Sequence, residues 1–118
     1  MTDTVVEAAL ERATARVDDA LAALTSRARV DLTGLPPATV ALLLSRLPRE
    51  RRVLVLTKDN DSAKRAAADL QLFTGATGDD ASGVLFYPAH EISPFLDVAP
   101  DRRAAMQRLG TLFHLARG

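Results

Sequence analysis

Several short stretches of this sequence carry residue types that perform chemistry when their spacing is right. Asp31-Leu32-Thr33-Gly34-Leu35-Pro36-Pro37-Ala38 lies between an apolar alternation and a helical pattern, where a phosphate-binding glycine loop would sit. Such a loop, G-x-x-x-x-G-K-[ST], cradles phosphate with backbone N–H groups, and its lysine reaches the terminal phosphates. Set on that pattern, Asp31 takes the first glycine and Pro36 the second. Pro37 takes the lysine, and Ala38 takes the hydroxyl that would hold magnesium. Two prolines remove two donors, and Asp31 would repel the anion. A structural turn is what the residues predict.

The other candidates fail in similar ways. Lys58-Asp59-Asn60-Asp61 opens like a calcium loop, but the sixth and twelfth positions from Asp59 are Lys64 and Leu70, where a glycine and a bidentate glutamate are needed. Helix capping explains the acids better. His90-Glu91 could begin H-E-x-x-H, yet Pro94 occupies the second histidine position. Ser93 near His90 suggests a nucleophile and base, but no G-x-S-x-G turn surrounds it. Arg46, Arg49, Arg51 and Arg52 surround a lone Glu50. In a sheet architecture that turn lies at the amino edge, away from the ligand edge, and reads as a solvated turn.

The elements that must position these residues alternate. A first helix is expected over about residues 4–25, with Thr4 and Glu7 at capping-box spacing and an apolar stripe of Val6, Leu10, Ala13, Val17, Leu21 and Leu24. Residues 28–32 alternate like a half-buried strand. Pro36 and Pro37 suit the first turn of a helix with Val40, Leu43, Leu44 and Leu47 on one face, stopped at Pro48. Val53-Leu54-Val55-Leu56 reads as a strand buried on both sides, and Asn60, Asp61 and Ser62 offer caps to a helix through Ala63, Ala66, Ala67, Leu70 and Phe73. Gly75 and Gly78 frame a loop with Asp79 and Asp80. Val84–Tyr87 reads as a third strand, residues 88–100 as a loop, and a last helix carries Met106, Leu109, Leu112, Phe113 and Ala116 on one side. The predicted fold is α/β: a parallel sheet flanked by helices, joined by right-handed crossovers. Its β/α period stops short of a further strand, so the segment reads as an N-terminal helix (1–26) followed by a partial α/β domain (27–118).

Composition bounds the function. In 118 residues, apolar types make up 47% and charged types 25%, the balance of one modest globular domain. Fifteen basic and fifteen acidic residues cancel, which argues against a strongly basic surface overall while leaving room for a local patch. Without cysteine there is no disulfide, thiolate or Cys-based zinc chemistry. No apolar run approaches a bilayer span, and the start lacks a basic n-region, so a cytoplasmic setting without membrane contact is expected.

One stretch goes further. Phe86-Tyr87-Pro88-Ala89-His90-Glu91-Ile92-Ser93-Pro94-Phe95, then Ala99-Pro100-Asp101, then Arg108-Leu109-Gly110-Thr111-Leu112, resembles the amino-terminal module of bacterial transcription-repair coupling factors, Mfd. The resemblance covers about residues 28–117, with His90 at a usual tryptophan and Ser93 at a usual leucine. It marks Pro88, Glu91, Pro94, Phe95, Pro100, Asp101 and Arg108 as family-motif positions. That module is similar to the first domain of the repair helicase UvrB, so the resemblance implies a degenerate P-loop, helicase-like fold at Asp31, Thr33, Gly34, Pro36, Pro37 and Ala38. It implies a non-catalytic scaffold with no cofactor of its own. ATP and magnesium would belong to the parent's translocase motors, and UvrA, RNA polymerase and double-stranded DNA to its other domains. A UvrB-type ATP-dependent helicase and an unrelated stand-alone interaction module are the alternatives.

Overall fold

The computed structural model describes residues 2–75, 83–90, 95, 99 and 101–117. Four helices span them: α1 (Thr2–Ser26), α2 (Pro37–Ser45), α3 (Asn60–Thr74) and α4 (Arg102–Arg117). They fall into two compact units, Met1–Val53 and Leu54–Gly118.

In the first unit, α1 already includes Thr2, so Thr4 is not its cap. The strong helix formers begin only at Glu7, Ala8, Ala9 and Leu10, and residues 2–6 are weaker ones, so local propensity does not account for the earlier start. Val17, Ala20, Leu21 and Leu24 are half-buried where α1 meets α2, whereas Val6 and Leu10 of the same stripe are exposed. Helix α2 begins as its prolines dictate. Pro36 precedes it with φ −60° and ψ 148°, and Pro37 fills the first helical position, where a missing N–H costs nothing. Ala41 and Leu43 are 2% and 3% exposed and form the core; Leu44 and Leu47 are half-buried beside them. The helix stops at Ser45, before Pro48, and the Arg46 N–H donates back to the Leu43 carbonyl at 3.2 Å.

In the second unit, Asp59 caps α3: its carboxylate accepts from the Ser62 N–H at 2.7 Å. Gly75 ends that helix in the left-handed region at φ 68°, its N–H returning to Leu72 at 3.3 Å. Asp101 caps α4, accepting from the Arg103 N–H at 2.9 Å. Gly78, Asp79 and Asp80 lie outside the described residues.

The described residues form no parallel sheet. Among the described residues there is no strand, and residues 28–32, 53–56 and 84–87 have no regular structure. A strand exists only through a neighbour that takes its backbone groups. The backbone hydrogen bonds seen outside the helices among the described residues close local turns and caps. Leu54 and Leu56, expected inside a two-sided sheet, are 84% and 85% exposed. Around residues 86–89, side chains from α3 and α4 hold the backbone in the role a ladder would have played. The helical arrangement therefore replaces the α/β, P-loop-like architecture that the alternating pattern suggested.

The last helix also turns differently from expectation. Met106, Leu109, Leu112, Phe113 and Ala116 are all exposed, while Thr111 is buried at 8% and Ala104, Ala105 and Arg108 are half-buried. The polar side of the stripe faces inward because that is where its hydrogen-bond acceptors lie.

Candidate functional site

Two places collect the residues singled out by sequence, one in each unit. In the first, the turn at 31–38 borders an apolar recess of about 390 Å³ lined by Leu24, Val30, Leu32, Gly34, Leu35, Val40, Leu43 and Leu44. Gly34 adopts φ +71°, which side chains rarely tolerate, so the turn needs its glycine for backbone geometry. Asp31 pairs with Arg29 at 3.3 Å, both well exposed. The start of α2 offers an anion very little. Pro36 and Pro37 have no N–H, and the Thr39 and Val40 N–H groups both donate to the Pro36 carbonyl, at 3.0 and 3.2 Å. Ala38 is left as the donor at this helix start, with its methyl where a metal-binding hydroxyl would stand. Thr33 is exposed on the turn. The arrangement suits apolar contact and has few means to hold a phosphate.

In the second unit two of the family-motif residues, Pro88 and Arg108, meet at one strap of chain, residues 86–89. Asn60, the first residue of α3, grips Ala89 at both ends of its backbone. Its Oδ1 accepts from the Ala89 N–H at 2.8 Å, and its Nδ2 donates to the Ala89 carbonyl at 3.2 Å. From α4, Arg108 Nη1 donates to the Pro88 carbonyl at 3.0 Å and Thr111 Oγ1 donates to the Phe86 carbonyl at 2.7 Å. The Arg108 guanidinium also lies 4.4 Å from the Tyr87 ring centroid, within cation–π range. Pro88 itself is buried. The strap thus links the start of α3 to the middle of α4.

Placement of the motif positions follows. Pro88 and Arg108 meet at the strap, and Asp101 caps α4. Phe95 is almost fully exposed. Glu91, Ser93, Pro94 and Pro100 lie outside the described residues. Two residues were missed. Asn60 looked like a cap, and nothing in the sequence signals a partner 29 residues away; Thr111 stood within the R-L-x-T-L motif but had no assigned role.

The carboxyl of Asp59 is held below its usual range, chiefly by the Ser62 hydroxyl and then by the Ser62 N–H, with Lys58 and Arg65 adding a smaller charge effect. This is the signature of a cap. Among the described residues no three of His, Asp and Glu gather as metal ligands, and no helix is long and apolar enough to cross a membrane.

No family model matches the chain, and no solved structure does. The chain is, however, 40% identical over 93 residues to a transcription-repair-coupling factor from Myxococcus xanthus, a match that covers 76% of this chain and 8% of that protein. Over most of its length, then, this chain is related to a short part of a transcription-repair-coupling factor.

Proposed function

We propose that the chain is a non-catalytic scaffold segment of a transcription-repair-coupling factor. The observation that carries this reading is the 40% identity to the Myxococcus protein. The scaffold role is supported by the α2 start, where two prolines and two internally spent N–H groups leave little to bind nucleotide. On this reading the protein that contains the segment works in the cytoplasm, releases RNA polymerase stalled at DNA damage and recruits excision repair through UvrA. Its ATP and magnesium act in motor segments elsewhere. The second unit contributes rigidity: three side chains fix one strap between two helices.

Two experiments test this. Residues 28–117 exchanged for the matched portion of the Myxococcus protein should keep repair coupled to transcription; loss of coupling in a folded, normally expressed chimaera would refute the assignment. Calorimetric titration of the chain with MgATP should give no heat of binding. A low-micromolar affinity that a Gly34 substitution weakens would refute the scaffold role.

A further inference from the structure

We propose that Arg27, Arg46, Arg49 and Arg52 form a contact site for the phosphodiester backbone of duplex nucleic acid, with Arg51 as the residue that holds the site in shape. The proposal goes beyond the scaffold reading and does not depend on it. Sequence alone read this turn as solvated because a sheet would have set it at the amino edge; with no sheet among the described residues, that ground disappears.

The structure supplies what the sequence lacked. Arg51 Nη1 donates to the Leu24 carbonyl at 3.4 Å, and the Arg51 N–H closes a turn onto the Pro48 carbonyl at 3.0 Å. The turn is thereby tied to the last turn of α1. Arg27 follows directly there, its N–H still donating to Ala23 at 3.0 Å. Five exposed arginines thus lie on the two stretches of chain that this contact joins, Arg27 just after α1 and Arg46, Arg49, Arg51 and Arg52 in the turn after α2. Glu50 is the lone acid among residues 46–52. The ion pairs among the described residues are Arg29–Asp31 and Lys58–Asp59, so none of the four proposed contact residues is neutralised by an acid. Unpaired like charges repel one another. A row of phosphates offsets that repulsion, and guanidinium forks match phosphate oxygens in pairs.

The surroundings decide which phosphate-bearing partner. Residues 1–53 contain no aromatic side chain, no histidine, no asparagine and no glutamine. Single-stranded nucleic acid is gripped by stacking bases on aromatic rings, which this unit cannot offer. Reading adenine calls for asparagine or glutamine, also absent. What remains is backbone contact with a duplex, tolerant of sequence and governed by counterion release.

The test is fluorescence anisotropy of a short labelled duplex with the whole 118-residue chain. Four neutralised phosphates predict an affinity loss of roughly 150-fold between about 50 and 200 mM salt. The pair R49E/R52E should abolish binding while leaving the circular dichroism spectrum unchanged, because neither residue carries the Leu24 contact. The pair R102E/R103E, in the other unit, should leave binding intact. A single-stranded oligonucleotide should bind more weakly than the duplex. Absence of binding at about 50 mM salt would overturn the proposal, as would equal loss from the two charge-reversed pairs. Competition by polyglutamate as strong as that by unlabelled duplex would also overturn the assignment to phosphodiesters.

Discussion

Replacing Thr111 by valine removes one hydroxyl and keeps the shape of the side chain. The Oγ1 donates to the Phe86 carbonyl at 2.7 Å from a residue only 8% exposed, so valine leaves that acceptor without its partner. A deleted bond of this kind costs up to about 3 kcal/mol when the orphaned group is sealed from water. Phe86 is half-buried, so water recovers part of the loss, and about 1–2 kcal/mol is expected. That is roughly a 5- to 30-fold rise in the unfolding equilibrium constant. With a urea dependence of about 1 kcal/mol per molar for a small unit, the midpoint should fall by about 1–2 M. The assay has a built-in local probe: Tyr87 is the single tyrosine of a chain without tryptophan, and it sits beside Phe86 in the strap. Threonine and valine have similar helix propensity, so α4 itself is not the variable. Thr111→Ser keeps the hydroxyl and should stay closer to wild type than Thr111→Val. The reverse order, with valine at the wild-type midpoint and serine below it, would show that the methyl matters and the hydrogen bond does not.

Three further outcomes follow from the same contacts. Asn60→Asp turns the Nδ2 donor into an acceptor facing the Ala89 carbonyl 3.2 Å away, and should cost about 1 kcal/mol or more in the same fluorescence-monitored unfolding; wild-type stability would remove Asn60 from the strap's support. Gly34→Ala places a side chain at φ +71° with open space around it, so the penalty is backbone strain alone, about 1–2 kcal/mol by thermal unfolding, and Gly34→Asn should recover part of it. Asp59 has a depressed carboxyl, so its capping contribution is complete above the unfolded value near 3.9 and is lost as pH falls through the lower folded value. Helicity measured by circular dichroism should therefore decline less steeply in Asp59→Asn than in wild type across that acid window; equal slopes would refute the cap.

The helices were legible in the sequence because their signals are local. Pro37 at a first helical position, an acid just ahead of α3 and Gly75 at its end each act within one turn of themselves. The sheet was not legible in the same sense. Apolar alternation at 28–32 and the run at 53–56 state only that side chains of that type are present, and a strand requires a second backbone that no local pattern supplies. The degenerate turn was readable in one respect, since prolines at 36 and 37 lack donors in any fold. That the Thr39 and Val40 N–H groups are also spent, on Pro36, needed the structure.

The strap shows why the family motif and the periodicity pointed in different directions at α4. Periodicity counts apolar residues and places Met106, Leu109 and Phe113 against a core. The motif stretch instead holds Arg108, a marked position, and Thr111, which had no assigned role, one turn apart and therefore on one face of a helix. Those two side chains find the carbonyls of Pro88 and Phe86, themselves two residues apart and so on one side of the strap if its backbone is extended. Helical spacing on one element thus matches strand-like spacing on the other, and each bond reinforces the register of the second. Rotating α4 to bury its leucines would break both bonds and strand two carbonyls at a cost that the half-exposed apolar side chains need not repay. The motif spacing is therefore the better guide to which face of this helix points inward, and paired loss of Arg108 and Thr111 should fall short of the sum of the single losses if the two bonds set one shared register, because either single loss already weakens the other bond.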